Sequence, residues 1–170
     1  RARATDVHRV PPPPKPLGVL PHVPTGVERA TLESIFRHLT AYPEGFTVHP
    51  KLARQFEVRS KQFEADHDVD WATAEALALG SLVLEGHAVR LAGEDSREGT
   101  FSQRHAAIID YETGKPWIPL NELPGAQAKF WVYDSLLSEY AALGFEYGYA
   151  HGNENALVMW EAQFGDFVNG

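Results

Sequence analysis

Residues 129–160 read K-F-W-V-Y-D-S-L-L-S-E-Y-A-A-L-G-F-E-Y-G-Y-A-H-G-N-E-N-A-L-V-M-W, and their pattern sets the architecture. Lys129–Tyr133 is rich in aromatic and β-branched residues and predicts a strand. Ser138–Ala150 predicts a helix, and the apolar run Ala156–Trp160 predicts a second, buried strand. Strand, helix, strand in that order implies an α/β architecture with a parallel sheet.

Upstream, His87–Leu91 reads as a further strand, leading into the polar loop Gly93–Gly99. Ala106–Tyr111 and Trp117–Leu120 predict two strands around a turn at Thr113-Gly114. Before them the pattern is helical. Thr25 and Glu28 have capping-box spacing, and Val27, Ala30, Leu32, Ile35, Phe36 and Leu39 follow as an apolar stripe ended by Pro43 and Gly45. A second helix is expected from Pro50, with Leu52, Phe56 and Phe63 inward. A third is expected from Asp70-Trp71 to Gly86, with an acid at its start and a glycine past its end. Residues 1–24 carry Pro11–Pro14, Pro16, Pro21 and Pro24, which predicts an extended arm; both a plain connector and a proline-rich ligand fit that composition. The expected division is thus an arm at 1–24, a helical connector at 25–86, and an α/β domain at 87–170.

Composition bounds the function. The chain has 170 residues, 44% of them apolar, and a net charge of −8 from 23 acidic and 15 basic residues. A nucleic-acid surface would need clustered Lys and Arg. With no cysteine, disulfides, thiolate catalysis and Cys-based metal sites are excluded. No apolar run approaches the ~20 residues of a membrane helix, and residues 1–10 lack a secretory core, so a cytoplasmic setting is expected. The chain lacks an initial Met and stops after an apolar stretch, which predicts a truncated piece prone to self-association.

Three features can carry chemistry. Glu139 sits between a strand and a small-residue helix, where a half-buried carboxylate can move protons and where an acid can equally stabilise a helix start. Phe164 and Phe167 are three apart, spaced for one helical face; a core position and a stacking wall for a planar ring both fit. The segment 93–105, G-E-D-S-R-E-G-T-F-S-Q-R-H, is a loop with binding character but without phosphate-loop spacing. No His pair at helical i, i+4 spacing with a nearby acid indicates a metal site, and His22, His49 and His67 read as solvent-facing or capping residues.

Segments 93–105, 134–149 (D-S-L-L-S-E-Y-A-A-L-G-F-E-Y-G-Y) and 160–170 (W-E-A-Q-F-G-D-F-V-N-G), in that order, closely resemble the decarboxylating first component of 2-oxoglutarate dehydrogenase. The likeness runs from about His22 to the end and is nearest to the actinobacterial, multifunctional form. It implies a truncated transketolase-like pyrimidine-binding domain that uses thiamine diphosphate. Glu139, the glutamate of the S-E motif, would contact N1′ of the aminopyrimidine and promote deprotonation of the thiazolium carbon. Phe164 and Phe167 would form the aromatic wall. Glu94 would approach the cofactor from a position that holds Gln or Glu in relatives, and His105 would only support the loop.

By the same resemblance, the diphosphate and Mg2+ belong to another domain, with a Gly-Asp-Gly…Asn pattern not found here. The implied partners are 2-oxoglutarate, the lipoyl succinyltransferase second component and a second copy in a homodimer, so the isolated chain is expected to be inactive. A non-catalytic assembly module of the same fold and a 2-oxoadipate-type homologue are the alternatives.

Overall fold

The computed structural model describes residues 23–65, 69–125 and 127–164. The proline-rich arm, His22 and His67 therefore lie outside the described residues, apart from Val23 and Pro24, which belong to no helix or strand.

The elements follow in the order α1 (Arg29–Leu39), α2 (Pro50–Glu64), α3 (Trp71–Leu84), β1 (Ala88–Gly93), β2 (Ile108–Ile109), β3 (Pro116–Trp117), β4 (Phe130–Asp134), α4 (Glu139–Gly152) and β5 (Ala156–Glu161). β1 lies in the middle of a three-stranded parallel sheet, with β4 and β5 on either side. The β4-α4-β5 connection must therefore pass over β1, and that crossing sets α4 on the sheet.

Alternation along β1 separates two faces. Val89 and Leu91, with Phe130 and Val132 of β4, join Leu77, Leu79 and Val83 of α3 and Ile35 and Phe36 of α1 in one buried core. Each such side chain contributes roughly 1.5–3 kcal/mol on burial. α3, W-A-T-A-E-A-L-A-L-G-S-L-V-L, is apolar around most of its circumference because α1 covers one side and the sheet the other. Arg90 points to the opposite face, where it meets Glu146 of α4. The core runs without a break from α1 through α3 into the sheet, so the expected boundary at residue 86 marks no gap in packing. A second cluster places Phe56 of α2 against Ile108 and Trp117.

Most helix ends follow the expected local chemistry. Asp70 caps α3 by accepting the Thr73 amide at 2.7 Å, and the His49 ring accepts the Lys51 amide at 3.2 Å at the start of α2. Gly86 follows α3 with φ +90°.

Three local expectations are corrected. α1 starts at Arg29, not Thr25, and its cap residue Glu28 is extended with no side-chain cap bond; Gly26, a poor helix former, disfavours an earlier start. Trp117–Leu120 is not a strand beyond Trp117, because Pro119 cannot donate to a ladder and opens a short 3-10 turn at Pro119–Asn121. β5 is half-covered, not buried: it pairs only with β1 among the described residues, and Leu157 stays 41% exposed.

The β2–β3 turn is held by Asp110. Its carboxylate accepts amides of Glu112 and Thr113 at 2.9 and 2.7 Å and of Thr47 at 2.9 Å, and these bonds hold its carboxyl below the usual range.

Candidate functional site

Gly93 of β1 is in register with Asp134 of β4 and Glu161 of β5, so the three parallel strands end at one level. Ligands of open α/β sheets gather outside such carboxyl ends. Each strand is followed closely by a residue singled out in the sequence: Glu94 directly after β1, Glu139 after β4 and its short loop, and Phe164 shortly after β5. The fold thus brings three of the four candidates to one edge. Phe167 lies outside the described residues.

Glu139 is the first residue of α4. The preceding Ser138 is extended and offers no side-chain cap bond, so the acid stands at the positive end of the helix dipole. Glu139 and Glu94 are half-buried residues, and neither carboxylate bonds to any described residue. Phe164 is 71% exposed, with its ring 6.4 Å from the exposed ring of Phe101 at 70°. Beneath these two rings a cleft of about 150 Å³ is lined by Thr100, Gln103, Glu161 and Gln163.

The loop that carries Glu94 is tied down at several points. Asp134 accepts the Arg97 amide at 2.9 Å, and the Ser135 amide donates to the Gly93 carbonyl at 2.6 Å. Gln163 donates to Asp95 at 2.8 Å and to Thr100 at 3.2 Å. Ser96, fully buried, donates to Glu161 at 3.0 Å. The largest anchor is Arg104, whose side chain is 9% exposed and whose guanidinium bonds to Glu75 of α3, Glu161 of β5 and the Ser96 carbonyl. Burial opposes its charge, but the hydrogen bonds to Glu75 and Glu161 raise its pKa above the ordinary arginine value.

Further along the loop, Ser102 and His105 take positive φ of 51° and 49°, a conformation that costs roughly 1–3 kcal/mol per non-glycine residue. The Glu98 carbonyl offsets this by accepting the Arg104 and His105 amides. His105 packs edge-on to Phe56 at 6.4 Å, and burial holds its imidazole below the ordinary value, against the pull of Glu98. It shares the lining of a cavity with Arg97, Glu98 and Asp134, the last residue of β4.

Sequence reading missed the Arg104 group with Glu75 and Glu161, the Gln163–Asp95 bond and the Arg90–Glu146 pair. Their signal was faint: Arg90 and Glu161 are charged residues inside apolar strands, and each needs an opposite charge that is remote in sequence. Among the described residues, no group of three or more His, Asp or Glu could hold a metal ion. No helix there is long and apolar enough to cross a membrane.

Comparison with known proteins finds close relatives. The chain is 50% identical over 151 residues to the mitochondrial 2-oxoglutarate dehydrogenase of Saccharomyces cerevisiae, covering 89% of this chain and 15% of that protein. It is 51% identical over 146 residues to the 2-oxoglutarate dehydrogenase E1 component of Rickettsia conorii, covering 86% and 16%. It is also 51% identical over 152 residues to a multifunctional 2-oxoglutarate metabolism enzyme of Mycobacterium sp. (strain JLS), covering 86% and 12%. The chain therefore spans under a fifth of each relative, and the resemblance read from its three motifs is borne out. Residues 67–169 match the family described as transketolase, pyrimidine binding domain, a range that takes in α3 together with the sheet. With more than half its length in that match, the chain belongs to the transketolase pyrimidine-binding domain family.

Proposed function

We propose that this chain is the aminopyrimidine-binding part of a thiamine-diphosphate-dependent 2-oxoglutarate dehydrogenase, which decarboxylates 2-oxoglutarate and passes the succinyl unit to a lipoyl carrier. The proposal includes a tricarboxylic-acid-cycle role, a cytoplasmic setting, a homodimer, and the lipoyl succinyltransferase second component as partner. Within the chain, residues 25–86 would join the domain to what precedes it.

The observation that carries the reading is the edge where β1, β4 and β5 end. Glu139 offers there a carboxylate with no bond to any described residue, and Phe164 an exposed ring. A flat heterocycle with a basic ring nitrogen suits both groups: an aromatic face to stack on and an acid to hold a proton. The fit covers the pyrimidine alone; Mg2+ and the diphosphate would be held by residues outside the described ones.

When bound, the cofactor supplies the electron sink for losing carbon dioxide from a 2-oxo acid. The protein's part is positional and protonic. Glu139 would hold a proton at the ring nitrogen that faces it. Phe164, with Phe167, would fix the ring plane. Glu94 would approach from the central strand, its loop held by the Asp95–Gln163 and Ser96–Glu161 bonds.

The test is carbon dioxide release by the full-length protein with thiamine diphosphate and Mg2+. Release from 2-oxoglutarate that exceeds release from 2-oxoadipate supports the reading. No cofactor-dependent release from either 2-oxo acid contradicts it, and a preference for 2-oxoadipate reassigns the substrate. The isolated 170-residue chain should release none above background.

A further inference from the structure

α4 is fastened to the sheet in an unusual way. Along its length the buried side chain is a charged one, Glu146, while Tyr140, Phe145 and Tyr147 stay exposed. Glu146 accepts two hydrogen bonds from Arg90 of β1, Nε to Oε2 at 2.7 Å and Nη2 to Oε1 at 2.8 Å. The two side chains are 13% and 6% exposed. Tyr133, Tyr149 and Phe145 surround the guanidinium, with ring centroids 4.6, 4.7 and 5.4 Å from its Cζ. These rings exclude water from the pair and add cation–π attraction. The bond to Glu146 raises the Arg90 pKa, so the charge is fixed.

A fork-to-fork pair constrains more than an apolar contact does. Apolar faces tolerate sliding and rotation, whereas two parallel N–H···O bonds set both position and angle. The position matters here. Glu146 lies seven residues after Glu139, two helical turns, so both share one face of α4 about 10.5 Å apart. Arg90 lies three residues before Gly93, about 10 Å from the end of β1 at ~3.3 Å per residue. The two arms match in length, and α4 runs back over β1 from the carboxyl edge. Glu139 is thereby set level with the strand ends.

We infer that Arg90 and Glu146 are positioning residues whose bidentate pair fixes where the Glu139 carboxylate stands. The inference rests on the role proposed for Glu139. It predicts that weakening the pair impairs the proton chemistry of bound cofactor more than it impairs folding or cofactor binding.

The experiment uses the full-length protein saturated with thiamine diphosphate and Mg2+. Hydrogen–deuterium exchange at the thiazolium C2 is read by quench and NMR, with cofactor Kd and melting temperature measured alongside. Glu146→Gln keeps the side-chain shape but removes the charge; Arg90→Lys keeps the charge but removes the fork. Either should slow exchange by about 10²-fold, the scale of an ångström-sized misplacement, at saturating cofactor. Wild-type exchange in a folded, saturated variant overturns the inference. So does loss of folding in both variants, because the pair would then support the fold as a whole. Glu139→Gln separates the two levels. If it leaves exchange unchanged, the role of Glu139 fails and the inference with it; if it slows exchange while the pair variants do not, the inference alone fails.

Discussion

Gly93 ends β1 where the strand meets the candidate site, and Gly93→Ala tests how tightly that edge is packed. A Cβ placed there would lie 2.7 Å from the Glu161 carbonyl oxygen and 2.9 Å from the Glu161 Cβ, and closer still to Ser96 Oγ. Gly93 is not among the residues of positive φ, so the obstacle is space and not backbone conformation. Ser96 could rotate away, but it would lose its bond to the Glu161 carboxylate and leave a fully buried hydroxyl unpaired. Glu161 cannot recede without opening the β1–β5 ladder, because Gly93 and Glu161 are register partners. Overpacking costs about 1–3 kcal/mol and the lost charged hydrogen bond about 1.5 kcal/mol more. The smaller backbone entropy of alanine returns only about 0.5–1 kcal/mol. The expected net loss is about 2–4 kcal/mol, a rise of roughly 30- to 800-fold in the opening constant and an equal fall in protection. Hydrogen exchange with mass spectrometry on peptides spanning 88–93 and 156–161 reads this loss directly. Unchanged protection in both peptides would refute the packing argument.

Other perturbations separate competing terms. Gly80→Ala gains about 1 kcal/mol of helix propensity, but its Cβ would meet Ile35 Cγ2 at 2.6 Å in the buried α1–α3 contact, so denaturant unfolding should show net destabilisation. Arg104→Met leaves Glu75 and Glu161 without their shared cation; a loss of about 3 kcal/mol is expected, read as a lower melting temperature and faster exchange over 94–104. His105 has a folded pKa below its ordinary 6.5, so the unfolded chain binds that proton more readily and stability falls as pH drops below about 6.5 through the folded value. An NMR titration should show the low pKa, and His105→Asn should flatten that limb of the stability profile. Asp110 behaves alike at more acid pH: its carboxyl is held below its ordinary 3.8, so its contribution is present above that value and lost as pH falls through the folded pKa. Asp110→Asn should remove that dependence.

The regular parts of the molecule were legible because their signals are local. Pro50, Asp70 and Gly86 punctuate α2 and α3 where the structure begins or ends them. The alternation of strand and helix over 129–160 led to the parallel sheet. Where the reading failed, a competing term outweighed a weak pattern: Gly26 against the capping box of α1, and Pro119 against a strand. The site was half legible. Glu139, Glu94 and Phe164 stood out through motifs, and the strands that lead to them end at one level. Arg104 and Arg90 were opaque, since their carboxylates lie 29, 57 and 56 residues away and only the tertiary fold pairs them.

The central claim is that Glu139 holds the proton that makes the bound cofactor reactive. Its most direct test is the kcat for carbon dioxide release from 2-oxoglutarate by the full-length Glu139→Gln protein, at saturating thiamine diphosphate and Mg2+. A loss of about 10²- to 10⁴-fold is expected, the range for removing a positioned acid or base, with the melting temperature close to that of the wild type. A kcat near the wild-type value would contradict the account.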